Sequence, residues 1–252
     1  MRRFRINIGR FLGIPLSVHA SWFLVFGLAI WAATGEFGDA LPQLPVAERL
    51  GMAVVTGMTF FMCLAVHEIA HAVVARRFGV HVRGITLFLL GGVAEIEGEL
   101  PSPGAEFAVA LAGPGTSLAI GSLFALASTW MSEIGWTWAE AITFTLAAVN
   151  LGVALFNLVP GLPLDGGRIL RAAVWRRTGS FERATTIAAR GGSIVASTLI
   201  AFGLVFALAG RPAGLWYVPM GVFIWFLARA SRRAAASDPG GALALAREGE
   251  AA

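Results

Sequence analysis

His67 and His71 lie one helical turn apart, with Glu68 directly after the first of them. On a helix, residues four apart project from one face, so both imidazoles can approach a single zinc ion while a carboxylate stands beside them as a base. This is the equipment of metal-assisted hydrolysis. The setting strengthens the reading. The motif falls inside an apolar run, 51–75, long enough to cross a bilayer, and ionisable groups at membrane depth are costly enough to mark functional sites. Two histidines alone are too few, because catalytic zinc usually takes three protein ligands and keeps one position for water.

The best third donor is Asp165, in Asn157-Leu-Val-Pro160-Gly161-Leu-Pro163-Leu-Asp165-Gly166-Gly167-Arg168. Two prolines and three glycines break the helix here, and broken backbone at membrane depth is tolerated only when buried in protein or lining a wet cavity. The depths are compatible. His71 precedes Arg76 by five residues, about 7–8 Å at helical rise, and Asp165 precedes Arg168 by three. A turn-forming aspartate ahead of Gly166-Gly167 is the competing role.

These residues need a membrane scaffold to hold them. The chain has 252 residues, of which 57% are hydrophobic and only 13% charged, too apolar for a soluble domain. The expected fold is an all-α polytopic membrane protein of six transmembrane helices, at about 17–34, 51–75, 106–131, 139–160, 185–209 and 213–229. All 19 basic residues are arginines, and they cluster before the first span and after the second, fourth and sixth, with only Arg49 and Arg211 in the opposite loops. The positive-inside rule then places both termini in the cytoplasm, in agreement with an even span count. The arginines flank apolar segments and form no single patch, so nucleic-acid binding is not supported. Between spans two and three, residues 82–100 read as a membrane-associated β-hairpin turning at Gly91-Gly92, with Glu95, Glu97 and Glu99 on one face of its second arm. Its open edge, near the metal, is a candidate dock for an extended peptide. Residues 1–229 form the membrane domain, and 230–252 read as a flexible cytoplasmic tail. Cys63 is the single cysteine, so no intrachain disulfide is possible; a small buried apolar role is favoured for it over a place near the metal.

The two-part signature, His67-Glu68-Ile69-Ala70-His71 with Asn157-x-x-Pro160-x-x-Pro163-x-Asp165-Gly166-Gly167, resembles that of the site-2 protease family of intramembrane zinc metalloproteases. Gly91-Gly92-Val93-Ala94 and Ala112-Gly113-Pro114 extend the likeness over most of the membrane region. The resemblance implies one Zn2+ held by His67, His71 and Asp165, and Glu68 as the catalytic acid/base. It also implies Asn157 as a contact to the substrate backbone or the developing oxyanion. Cleavage of transmembrane proteins within or near the bilayer follows, in regulated proteolysis in a prokaryotic cell membrane, with a regulatory partner as an option. Thr116 and Ser117 depart from the pattern, since many relatives carry Asn near this point. No PDZ or CBS domain fits, which implies a minimal core. A membrane metal-ion transporter and a non-proteolytic scaffold are the alternatives. The first lacks a continuous polar route, and the second is disfavoured by the presence of Glu68.

Overall fold

A computed structural model describes residues 5–88, 91–96, 98 and 100–237. The chain is mostly helical, and its contacts divide it into two units, one of residues up to 99 with 112–155, the other of 100–111 with 156 onward.

The first unit opens with a strand pair that the apolar pattern did not reveal, β1 (Arg5–Phe11) and β2 (Ile14–His19), joined through Leu12 and Gly13 at positive φ. The first long helix, α1 (Ser21–Ala40), therefore starts after His19 and not at residue 17. It packs on α2 (Val46–Arg77) through Trp22, Phe26 and Phe61, with Phe26 seated over Gly57. Helix α2 has 32 residues, about 48 Å at 1.5 Å per residue, so it overruns the hydrocarbon layer. Its end is sharply defined. Gly79 takes φ +78°, the Val80 amide donates to the Ala75 carbonyl and the Gly79 amide to that of Arg76, a Schellman stop two turns beyond His71.

The chain then enters β3 (Val82–Phe88) and β4 (Gly91–Ile96), and the four strands form one sheet in the order β1-β2-β3-β4. β2 and β3 are parallel, and the two hairpins are antiparallel. Ile14, Val18, Val82, Ile85 and Leu87 are buried, while β3 and β4 lie on α2. The fold is thus not purely helical: sheet pairing between residues 14–19 and 82–88 leaves no local signal for periodicity to detect. The hairpin turn also differs from expectation. Phe88 pairs with Gly91 and Leu87 with Gly92, so both glycines belong to β4; Leu89, Leu90, Glu97 and Glu99 lie outside the described residues. Glu95 meets Arg5 at 2.5 Å, a half-exposed pair of small energetic weight. α3 (Pro103–Glu133) and α4 (Thr137–Asn157) contribute residues 112–133 and 137–155 to this unit.

The second unit holds the start of α3, then α5 (Asp165–Thr178), α6 (Phe181–Leu208), a 3-10 turn (Pro212–Trp216) and α7 (Tyr217–Ser237). Arg168, Arg171, Arg176 and Arg177, read from sequence as loop charges, ride on α5. Gly179 at φ +67° stops α5, and the Ser180 hydroxyl caps α6 by accepting from the Arg183 amide at 3.1 Å.

Among the described residues five helices, α1 to α4 and α6, are long and apolar enough to cross a membrane, and the sixth expected span is not confirmed. The sixth run, 213–229, divides between the 3-10 turn and α7, whose second half carries Arg229, Arg232 and Arg233. α7 continues to Ser237, so the start of the expected tail is helical, and 238–252 lie outside the described residues. Large apolar side chains such as Leu24, Trp31, Leu123, Leu126 and Phe144 stand exposed on the long helices, as lipid-facing surface requires.

Candidate metal centre

His67 and His71 are both buried on α2, with their Nε2 atoms 3.2 Å apart and their ring planes at 79°. Two nitrogens each about 2.0–2.1 Å from a tetrahedral zinc would be about 3.3 Å apart, so the pair spans one edge of such a site. A second contact fixes the His67 ring: Nδ1 lies 2.9 Å from Ser117 Oγ on α3. Ser117 is 1% exposed, and by holding Nδ1 it leaves Nε2 as the metal-facing nitrogen. Ser117 was legible only as a departure from a family pattern; the hydrogen bond gives it work. Its neighbour Thr116 turns back to the Ala112 carbonyl.

α3 reaches these rings because Gly113 has no side chain. A Cβ there would sit 2.2 Å from His71 Nε2 and 2.5 Å from His67 Nε2, in space that any group bound to both nitrogens would need. Bare backbone opposite two convergent imidazoles is the cradle a metal ion fits. Glu68, half-buried on the next position of α2, is approached in the same way by β4: a Cβ on Gly92 would lie 2.2 Å from Glu68 Cγ and 2.9 Å from Oε1. Gly92 therefore serves close approach, not the turn. Cys63, one turn before His67, is buried.

In the second unit, Asp165 is the first residue of α5 and is buried. The segment before it, 158–164, is a packed turn. The Leu162 amide donates to the Ala188 carbonyl of α6 at 3.0 Å, and Leu164 N and Gly167 N close on the Gly161 and Leu164 carbonyls. The glycines around it are sites where backbones touch. A Cβ on Gly166 would lie 2.2 Å from Leu158 O, on Gly167 2.2 Å from Leu162 N, and on Gly192 of α6 1.8 Å from Leu162 O. Asn157 ends α4, half-buried, at the entrance to this turn.

Known proteins resemble this chain in sequence and in fold. The chain matches Peptidase family M50 over residues 56–136 and 131–199. It is 41% identical over 226 residues to Rip3 of Mycobacterium tuberculosis, covering 89% of this chain and 58% of that protein. A zinc metalloprotease of Methanocaldococcus jannaschii is 30% identical over 202 residues, or 80% of this chain and 55% of its own. The chain thus spans little more than half the length of these curated relatives. The solved site-2 protease from Methanocaldococcus jannaschii superposes with a TM-score of 0.63 at 25% identity, over 91% of this chain and 95% of that one. Sequence match, fold match and the paired histidines over Gly113 together make this chain a member of peptidase family M50, of the site-2 protease type.

Proposed function

We propose that the protein is an intramembrane metalloprotease that hydrolyses peptide bonds of transmembrane substrates, with one zinc ion held by His67, His71 and Asp165. The observation that carries the reading is the pair of buried Nε2 atoms 3.2 Å apart over a glycine, with Glu68 on the adjoining position. The donor types support it, since two imidazoles and a carboxylate are a ligand set that catalytic zinc takes. The relatives named as zinc metalloproteases and as a site-2 protease support the chemistry. When bound, zinc supplies Lewis acidity, bringing the pKa of water toward about 7 and polarising a carbonyl.

The rest falls to the chain. Glu68 accepts a proton from the attacking water and returns it to the leaving amine nitrogen, a role suited to a carboxylate that is half-buried and braced by the β4 backbone. Ser117 keeps the His67 ring in one tautomer. Asn157 offers an amide to the substrate backbone. β4 is the end strand of its sheet and touches the residue assigned as base, which supports docking of an unwound substrate segment along it. The arginines at the end of α2 and along α5 support a cytoplasmic position for those ends, with a sixth crossing by 213–229 returning the C-terminus to that side. Bacterial and archaeal relatives support a prokaryotic cell membrane and a role in regulated intramembrane proteolysis.

The test is Glu68→Gln in reconstituted membranes, scored by zinc content and by cleavage of a reporter carrying a helix-interrupted transmembrane segment. Near-stoichiometric zinc with no cleavage is expected; retained cleavage refutes the assignment. Asp165→Ala is expected to lower zinc content.

A further inference from the structure

Glu106 carries an acidic side chain, is only 1% exposed, and no part of the chemistry above assigns it a task. It sits in the first turn of α3, within the second unit, and is held by Arg171 of α5. Arg171 Nε donates to Glu106 Oε1 at 2.7 Å, and Nη2 donates to the same oxygen. The guanidinium carbon stands 4.6 Å over the ring of Phe181, the first residue of α6. Glu106 Oε2 is buried with no hydrogen-bond partner among the described residues. An ion pair this deep is poor evidence of stabilisation, since desolvation offsets the attraction; geometric specificity is the better-attested use.

The place of Arg171 on α5 shows which geometry it sets. Asp165 and Arg171 are six residues apart, about 600° of helical rotation and about 9 Å of rise, so their side chains leave α5 in directions about 120° apart. The turn 158–164 fixes where α5 begins and, through Gly166 and Gly167, braces one side of its first turn; the fork six residues on, against α3 and α6, is the second point that a fixed rotation of the helix about its own axis requires. That rotation decides where the Asp165 carboxylate points. A guanidinium fork is directional, and here it is clamped between a carboxylate on α3 and a ring on α6.

We infer that Glu106 and Arg171 are positioning residues, a rotational lock on α5 that aims Asp165 at the metal. The inference rests on the assignment of Asp165 as a zinc ligand and extends it to the residues that orient it. Loss of such outer supports typically costs about 10–100-fold in metal affinity.

The experiment uses the full-length protein in lipid or detergent. Zinc affinity is read by chelator competition, and the ligand set by the visible spectrum of the Co2+-loaded form. Glu106→Gln keeps the shape and removes the charge. It is expected to weaken zinc about 10-fold or more and to move the cobalt spectrum in the direction of Asp165→Ala. Arg171→Lys, which keeps charge and loses the fork, is expected to fall between Glu106→Gln and wild type, and it serves as the readout if Glu106→Gln does not fold. The double variant is expected to be no worse than the weaker single, as coupled residues require. A folded Glu106→Gln protein with wild-type affinity and spectrum overturns the inference while leaving Asp165 as a ligand. An unchanged Asp165→Ala overturns the ligand assignment and this inference with it.

Discussion

The histidine pair and the aspartate reach their positions by opposite means. On α2 the helix itself does the work: regular geometry puts residues 67 and 71 on one face, and only their ring angles need outside help, from Ser117. Asp165 stands at the first position of a short helix after a stretch with no regular hydrogen bonding, and its place is set by backbone contacts to residues far along the chain. The histidine pair is specified by spacing, the proposed third ligand by packing. The first is vulnerable where side chains or strands press on α2, above all opposite the rings; the second is vulnerable wherever backbones touch.

Glycine-to-alanine changes separate the two, because alanine should favour either helix by about 1 kcal/mol if nothing stood in the way. Gly113→Ala has the largest expected effect on metal: its methyl would fall 2.2 Å from His71 Nε2, so zinc content should drop to background while thermal stability stays near wild type. Melting that collapses along with zinc would show that Gly113 is structural. Gly192→Ala should behave differently, since its methyl would meet the Leu162 carbonyl at 1.8 Å, backbone that cannot swing aside. Expected are a stability loss of about 1–3 kcal/mol by overpacking and weaker zinc as a consequence, measured by thermal unfolding and chelator competition. An unperturbed melt would break the contrast. Ser117→Ala sharpens the α2 side: zinc affinity should fall about 10–100-fold with little change in fold. The smallest effect is expected for Ser180→Ala, which removes the cap of α6 and should cost about 1 kcal/mol of stability, with the zinc site of a correctly folded protein unchanged.

The same contrast explains what could be read from the sequence. Helix α2, the HExxH spacing and the break between Asn157 and Asp165 were all visible, because each is a local pattern of residue types. β1 and β2 were not. Ile14-Pro15-Leu16-Ser17-Val18 is apolar enough to merge with the helix that follows, and its pairing with β3 joins residues nearly seventy positions apart. The arginines of 168–177 looked like loop charges because charge counting ignores whether a segment is a loop or a 14-residue helix. Gly191-Gly192 inside α6 carried no sign of its contact with Pro160 and Leu162, since a small residue in an apolar span announces only that something can come close. Glu106 and Arg171, 65 residues apart, offered no spacing to recognise.

The approach of Gly92 to Glu68 bears on which products such an enzyme would release. Strand ladders repeat every two residues, so a peptide laid along β4 can move only in steps of two while keeping its hydrogen bonds. With the assigned base touching the strand, each step would bring a new bond to the same carboxylate. A slipping substrate should then yield fragments differing in length by two residues, with the intermediate lengths scarce. Mass spectrometry of the released peptides would read that spacing as a ruler built into the enzyme.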